Sequence, residues 1–322
     1  MPVTVQIPVE KWNGTVRTVK LGATKAEGGT RTSTVTVGGA STLPFLHFEG
    51  SIPNKPVIAI QIQDTEPADW SPVLREAWGD VTKDVTAWAQ KAVEYGADVI
   101  ALNLRSAHPD SGNKGPDEIG ATVKRVLEAV GVPLIIYGPG VAEKDNEVLV
   151  RAAEVAAGER VALGLCEQNN YRTIVAACMA NGHLVINRAP IDVNIQKQMS
   201  ILVSDMGLPL DRILADPTTG ALGYGLEYCF SVGERLRLSA LAGDSMTQMP
   251  VICTIGEEAW KAKESKVSQG VPEAWGNIEK RGLAWEAVTA TALLNAAADI
   301  LVLRHPKTVE LMKKTINQLM VN

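Results

Sequence analysis

The feature that most constrains the fold is an alternation of short apolar runs with helical patterns, which begins at residue 56 and continues to the C-terminus. Helical patterns lie between the runs, among them residues 81–95, 117–130, 226–241 and 283–298. In the pattern over residues 117–130, apolar side chains recur at helical spacing and form a single face. The eight apolar runs cover residues 56–62, 98–103, 134–137, 161–165, 184–186, 213–215, 251–254 and 300–303. The alternation predicts parallel strands joined by crossover helices.

Eight strand–helix units predict an α/β fold of the (β/α)₈ TIM-barrel type over residues 51–322. The runs are apolar throughout, as expected for parallel strands that are covered on both faces. A doubly wound sheet is the alternative. Such a sheet normally opens with a glycine-rich phosphate turn after its first strand. Here the corresponding segment, residues 63–67, reads QDTEP, which is acidic and has no glycine, so the barrel is favoured.

Residues 1–50 differ from the repeat and are predicted to form a small antiparallel β extension. Apolar residues occupy every second position from 3 to 9, which indicates a strand. The Thr/Val-rich segments 15–21 and 31–37 are two further strand candidates, and Asn-Gly at 13–14 is a turn signal. A unit of about three strands is too small to be stable alone. We therefore expect it to pack on the barrel.

Composition excludes several classes of function. The chain is 46% hydrophobic and 21% charged, with a net charge of −5. It has no Lys/Arg run, so a nucleic-acid partner is not expected. No run approaches the roughly 18 apolar residues that span a bilayer, and no signal-peptide pattern opens the chain. These observations predict a soluble cytoplasmic protein without a membrane partner.

Metal chemistry is not indicated within this chain. The four cysteines, at 166, 178, 229 and 253, form no C-x-x-C pair, so they are expected to be buried small hydrophobic residues. Of the four histidines, only His108 and His305 follow predicted strands. The predicted strands contain no lysine for a Schiff base, and no G-x-S-x-G motif is present. Acids that follow strands four and seven would suit a glycosidase, but only 5% of the residues are aromatic.

The predicted strand ends instead carry amides, hydroxyls and glycines. In TIM barrels the site forms at the C-terminal ends of the strands. The sixth strand leads into residues 216–228, DPTTGALGYGLEY, whose glycines allow close backbone approach to a ligand and whose following helix offers free N–H groups. A glycine-rich connection with Asp216 as a helix cap is the structural alternative. The composition of this barrel end favours binding of a large polar ligand over bond cleavage.

Residues 216–228 resemble the small subunit of corrinoid iron–sulfur proteins, whose archaeal counterpart is the delta subunit of the acetyl-CoA decarbonylase/synthase complex. The resemblance extends to the N-terminal Thr/Val-rich segments and to residues 57–64, 97–103 and 256–260. It implies a TIM barrel paired with a large subunit that carries a four-iron cluster and a corrinoid domain. It also implies that the corrinoid lies at the interface, between that domain and the open end of this barrel.

The resemblance implies a role in the reductive acetyl-CoA pathway. The heterodimer would accept a methyl group from a methyltetrahydropterin methyltransferase and deliver it to acetyl-CoA synthase. This chain would be a non-catalytic subunit whose barrel mouth shields the reactive Co(I) from water and oxidants and moves aside for transfer. Six strand-end residues are predicted to hydrogen-bond the corrin amide side chains or bound water: Asn103, Asn187, Asp216, Thr218, Thr219 and Tyr224.

Two other functions are also compatible with the sequence. The chain resembles, more distantly, the pterin methyltransferase barrel, which typically has Asp-x-Asn at the end of its second strand. Here Asn103 is present, but Ala101 occupies the acidic position. Loss of that carboxylate leaves pterin donors unpaired, at about 1–3 kcal/mol each, so we expect pterin binding to be lost. An unrelated barrel enzyme with a phosphate substrate is the third possibility, although residues 254–256 and 304–306 suit it poorly.

Overall fold

The computed structural model describes residues 7–321. Its strands are β1 (Val19–Leu21), β2 (Val35–Val37), β3 (Val57–Gln63), β4 (Val99–Asn103), β5 (Leu134–Tyr137), β6 (Ala162–Cys166), β7 (Leu184–Arg188), β8 (Ile213–Asp216), β9 (Val251–Cys253) and β10 (Ala298–Leu303). Its helices are α1 (Pro72–Trp78), α2 (Val85–Glu94), α3 (Pro116–Ala129), α4 (Ala142–Val155), α5 (Tyr171–Asn181), α6 (Val193–Asp205), α7 (Leu226–Leu241), α8 (Ile255–Ala259), α9 (Lys263–Lys266), α10 (Ile278–Ala296) and α11 (Pro306–Leu319).

Strands β3 to β10 close into a barrel in chain order, and every neighbouring pair is parallel. Closure is completed by β10 beside β3, where Ile300 pairs with Val57. The predicted (β/α)₈ fold is therefore confirmed. Across residues 7–321, no helix combines the length and apolarity needed to cross a bilayer.

The barrel strands have one apolar face inside the barrel and another against the helices. Alternate strand residues fill the interior: Val57, Ala59, Val99, Ala101, Ile135, Ala162, Leu184, Ile186, Leu214, Ile252, Ile300 and Val302. Intervening residues such as Ile58, Ile100 and Leu301 pack against the helical layer. Because both faces are buried, the strands read as continuous apolar runs in the sequence.

The N-terminal sheet has two strands among the described residues rather than three. Strands β1 and β2 pair antiparallel, with Val19 opposite Val37. Of the strand predicted over residues 3–9, positions 3–6 lie outside the described residues. Ile7 and Val9 are exposed and belong to no strand.

The N-terminal segment contacts the barrel at the end opposite the strand C-termini. The amide of Gly22 donates to the carbonyl of Arg160, which precedes β6, at 3.0 Å, and the amide of Arg17 donates to Gln248, which precedes β9, at 2.7 Å. Farther along, the amide of Thr32 donates to the carbonyl of Gly131, before β5, at 2.8 Å. The segment therefore covers the N-terminal barrel end and leaves the other end, the mouth, open.

Two helical regions differ from the prediction. Between β3 and β4 the sequence predicts a single helix over residues 81–95. The structure has two helices there, α1 and α2, joined by a 3₁₀ turn over Gly79–Lys83. Gly79, with φ of +62°, ends α1, and the carboxylate of Asp84 caps α2 by accepting the amide of Ala87 at 2.8 Å. After β9, α10 begins at Ile278 rather than 283, because Asn277 accepts the amide of Lys280 at 3.1 Å and caps the helix there.

Candidate functional site

The barrel interior changes from apolar to polar at the mouth. Side chains alternate along a strand, so the inward positions that follow the apolar layers can be assigned from the strand register. These inward positions are Gln61 on β3, Asn103 on β4, Tyr137 on β5, Arg188 on β7, Asp216 on β8 and Arg304 just after β10. The strand ends thus bring amide, phenol, carboxylate and guanidinium groups together at one end of the barrel.

Three atoms of this polar layer are buried without a hydrogen-bond partner among the described residues. They are Oδ1 of Asn103, the hydroxyl of Tyr137 and Oδ2 of Asp216. Burial strongly raises the pKa of Tyr137, and the charge of Asp216 adds to the effect. A buried polar atom without a partner costs free energy. The three atoms therefore mark positions where a ligand group or water would complete the site.

Asp216 is the carboxylate of the polar layer. It is fully buried at the end of β8, and its Oδ1 accepts the amide of Thr218 at 2.9 Å. Burial raises its pKa to about 6, although the charge of Arg188 and the Thr218 amide act in the opposite direction. Thr218 adopts a positive φ of 65°, which turns the chain back over the carboxylate.

Thr218 also connects the loops that follow β7 and β8. Its hydroxyl donates to the carbonyl of Ala189 at 2.7 Å and accepts from Nε of Arg188 at 3.2 Å. Arg188 in turn lies 4.0 Å from Oε1 of Glu167, which follows β6. These contacts fix the Arg188 guanidinium among three strand-end loops.

An open cavity of about 840 Å³ lies over these loops. Its lining combines polar residues with the apolar start of α6: Glu167, Gln168, Asn169, Arg188, Pro190, Ile191, Ile195, Met199 and Thr218. Ile191 and Ile195 are 38% and 37% exposed, respectively. The cavity is amphipathic and wide enough for part of a large ligand with both polar and apolar edges.

A second group of charges surrounds Gln61. Its Nε2 donates to Oε2 of Glu257 at 3.3 Å, and its Oε1 accepts from Nε of Arg304 at 2.9 Å. Burial raises the pKa of Glu257, but Arg304, Lys261 and the hydrogen bonds outweigh it and lower the pKa to about 2. Glu257 is therefore a carboxylate at neutral pH.

A carboxylate of the protein itself occupies the two amides that lead into α11, and the His305 imidazole caps the helix by accepting the amide of Lys307 at 3.1 Å. Oε1 of Glu286, on α10, accepts the amide of Arg304 at 2.6 Å, and Oε2 accepts that of His305 at 3.3 Å. TIM barrels often bind phosphate near this position, after the last strands. Because Glu286 already accepts these amides, they cannot bind the phosphate group of a substrate. This argues against a barrel enzyme with a phosphate substrate.

The structure brings three of the six predicted residues to the mouth and places the other three differently. Asn103, Asp216 and Thr218 belong to the polar layer or the open cavity. Thr219 is buried, and its hydroxyl accepts the amide of Thr254 at 2.9 Å. Tyr224 is 53% exposed, and its hydroxyl donates to Glu264 at 3.0 Å, outside the cavity lining.

Asn187 faces away from the mouth. It is completely buried, and its amide group lies 2.8 Å from that of Gln196 and 3.1 Å from the hydroxyl of Ser200, both on α6. Strand alternation explains the placement, because Ile186 points into the barrel and Asn187 must therefore point outward. The same alternation identifies Arg188 as the inward residue. Applied to every strand, it also selects Tyr137, Gln61 and Arg304, which are absent from the predicted six.

Within residues 7–321, no three His, Cys, Asp or Glu side chains are grouped so that they could hold a metal ion. The four cysteines are buried and carry free thiols. The polar layer and the open cavity offer a ligand hydrogen-bonding groups, charge and an apolar wall.

The sequence matches one family over nearly its full length. The family is described as CO dehydrogenase/acetyl-CoA synthase delta subunit, and its model matches residues 18–319. Acetyl-CoA decarbonylase/synthase complex subunit delta from Methanopyrus kandleri is 40% identical over 305 residues, which cover 94% of this chain and 75% of that protein. The subunit of the same name from Archaeoglobus fulgidus is 39% identical over 318 residues, which cover 96% and 70%.

Solved structures with a similar fold are dihydropteroate synthases. The enzyme from Coxiella burnetii aligns with a TM-score of 0.58 at 13% identity, over 86% of this chain and 98% of that one. The Xanthomonas albilineans enzyme aligns with a TM-score of 0.57 at 12% identity, over 87% and 99%. At this identity the likeness concerns the barrel fold alone.

Proposed function

Because the chain belongs to the family of CO dehydrogenase/acetyl-CoA synthase delta subunits, we propose that its barrel mouth covers a corrinoid held by a larger partner subunit during methyl transfer. The observation that carries the proposal is the combination of unpartnered polar atoms with an adjoining open amphipathic cavity. A corrinoid is a broad ring whose edge carries both amides and methyl groups, so it requires a wide surface of mixed polarity rather than a deep pocket.

The residues of the mouth would divide this task. Asn103, Tyr137 and Asp216 offer unpartnered atoms to amide side chains or ordered water. Ile191 and Ile195 supply an apolar wall that excludes water from the covered face. The bound corrinoid would supply the cobalt that carries the methyl group. Thr218 keeps its predicted role, whereas Asn187, Thr219 and Tyr224 act as supports of the surrounding loops.

The family name identifies the chain as a subunit of a multi-subunit complex. In our proposal the direct partner is a large subunit that carries the corrinoid and an iron–sulfur cluster. A methyltetrahydropterin methyltransferase would donate the methyl group, and acetyl-CoA synthase would receive it. Residues 51–322 would form the corrinoid-facing barrel, and residues 1–50 would be an extension packed on its far end.

Anoxic reconstitution with the large subunit tests this proposal. Ile195→Glu places a charge in the apolar wall, whereas Ile201→Glu, equally exposed on the same helix but outside the cavity lining, is the matched control. We expect the complex to slow oxidation of Co(I) after a defined oxygen pulse, measured by its absorbance. Ile195→Glu should remove most of this protection and Ile201→Glu should retain it. Equal protection in both variants would contradict the proposal.

Autonomous methyltransferase activity has less support. Ala101, at the position where the resemblance places a pterin-binding carboxylate, is fully buried inside the barrel. A methyl side chain there offers no hydrogen bond to a pterin ring. We expect the isolated chain to transfer no methyl group from methyltetrahydrofolate to free cobalamin, and turnover in that assay would favour the enzyme hypothesis instead.

A further inference from the structure

A second, smaller cavity of about 120 Å³ lies across the mouth from the open one. It is formed at the ends of β3, β4 and β10 and by the segment after β9, whereas the open cavity follows β6, β7 and β8. Six charged residues line it: Asp69, Arg105, Glu257, Lys261, Lys266 and Arg304. Four cations therefore face two carboxylates in a small polar space.

Arg304 is the buried centre of this cavity. The residue is only 7% exposed, and its guanidinium lies over the Trp70 ring at 4.7 Å. Nε donates to Gln61, but no described residue accepts a hydrogen bond from the two terminal amino groups. The nearest charge contact is from one of them to Glu257 at 3.8 Å, beyond hydrogen-bond length. The two terminal amino groups are therefore free to donate to an acceptor that enters the cavity.

Two further cations face the same space without partners. Neither Arg105 nor Lys266 forms a side-chain hydrogen bond or ion pair with any described residue. Lys261, by contrast, is already paired with Glu257 and Glu258, each at 2.9 Å. The unused donors of three cations therefore converge on one cavity, and the carboxylates present do not satisfy them.

We propose that this cavity binds a small oxyanion, either inorganic phosphate or a carboxylate of similar size. Guanidinium groups bind both classes through paired, charge-assisted hydrogen bonds. The volume of about 120 Å³ accommodates such a group and is much smaller than the open cavity of about 840 Å³. The site is separate from the backbone amides of Arg304 and His305, which Glu286 already occupies.

Isothermal titration of the full chain with sodium phosphate and, separately, with sodium acetate tests the site. Sodium chloride at matched ionic strength is the reference. We expect saturable binding of one anion per chain for at least one of the two, and the responding anion identifies the preferred class. Heat that does not exceed the chloride reference for either anion overturns the proposal.

Variants show whether any binding belongs to this cavity. Arg105→Ala and Lys266→Ala each remove one unpaired cation, and we expect about a tenfold loss of affinity for each. Lys263→Ala, which removes an exposed lysine of the same helix outside the cavity lining, is the matched control and should bind normally. Circular dichroism checks the fold of each variant. Equal affinities in Lys266→Ala and Lys263→Ala would assign the anion to the general surface and overturn the proposal.

Discussion

The burial of Asp216 makes the stability of the folded protein depend on pH. Its pKa of about 6 lies above the ordinary value of 3.8, mainly because the carboxylate is buried. The folded protein therefore binds the proton more tightly than the unfolded chain does. Consequently the contribution of this residue is most favourable below about pH 4 and is lost as the pH rises through 6.

Asp216→Asn should remove this dependence while keeping an oxygen for the Thr218 amide. Relative to the unsubstituted protein, the variant should gain about 2.5 kcal/mol of unfolding free energy between pH 4 and pH 7.5, since one pKa unit corresponds to about 1.4 kcal/mol. Urea unfolding of both proteins at several pH values measures the difference, in which the other titrating groups cancel. A difference that stays constant across this range would refute the assignment.

Strand register determines which of two neighbouring residues at a strand end points into the barrel mouth. The sequence places Asn187 and Arg188 together at a strand end, and either residue type suits a polar ligand. Only the inward position of Ile186 decides that Arg188 reaches the mouth and Asn187 contacts α6. Register was predictable by counting alternate positions, whereas the Arg188–Thr218 contact depends on a loop conformation that local sequence does not determine.

Glu286, on α10, connects this helix to the segment that leads into α11, and its contribution to stability can be measured by substitution. Its carboxylate accepts the amides of Arg304 and His305, the two residues that precede the first turn of α11. Glu286→Leu should lower the unfolding free energy by about 3 kcal/mol or more, because two buried donors lose their acceptor.

Glu286→Gln is the informative comparison for that variant. Burial raises the pKa of Glu286, so the charged form is penalised, and a neutral amide of the same shape retains one acceptor. We expect a loss of about 1 kcal/mol or less for this variant. Thermal unfolding measures the loss of stability in Glu286→Leu and Glu286→Gln. Equal losses would show that the Glu286 side chain acts through packing rather than through its hydrogen bonds to the amides of Arg304 and His305.

Elements with strong local signals were predictable from the sequence. Strand β5 and helix α7 have the predicted bounds, since an uninterrupted apolar run and a long helical pattern leave little ambiguity. Helix α1 was missed because it is short and does not follow a strand directly. Its Trp78 packs against Trp88 and donates to the carbonyl of Arg304 at 2.9 Å. The start of α10 was placed late because its first turn is charged and depends on the Asn277 cap.

At the scale of the whole molecule, Arg31 joins the N-terminal segment to the barrel helices. Its guanidinium donates to Glu159 at 2.7 Å and to the carbonyls of Val130 and Leu127 at 2.6 and 2.7 Å. The Arg31 and Glu159 side chains are 2% and 9% exposed. Arg31 thereby caps the C-terminal end of α3 from a segment that precedes the barrel, and ties the extension to the barrel through buried charge.

Arg31→Met should therefore destabilise the whole molecule and not only the extension. Removing one partner of a buried, hydrogen-bonded ion pair costs about 3–5 kcal/mol because Glu159 stays buried without its cation. If extension and barrel fold as one unit, far-UV circular dichroism and tryptophan fluorescence should report a single, coincident shift of the unfolding transition. Lys20→Ala breaks the exposed pair with Glu27 in the same segment and should change stability by less than about 1 kcal/mol. The contrary result would be an unchanged main unfolding transition in Arg31→Met, preceded by a separate early phase. That result would show that the extension unfolds independently of the barrel. The structure of the mouth, at the opposite end, would then depend on the barrel alone.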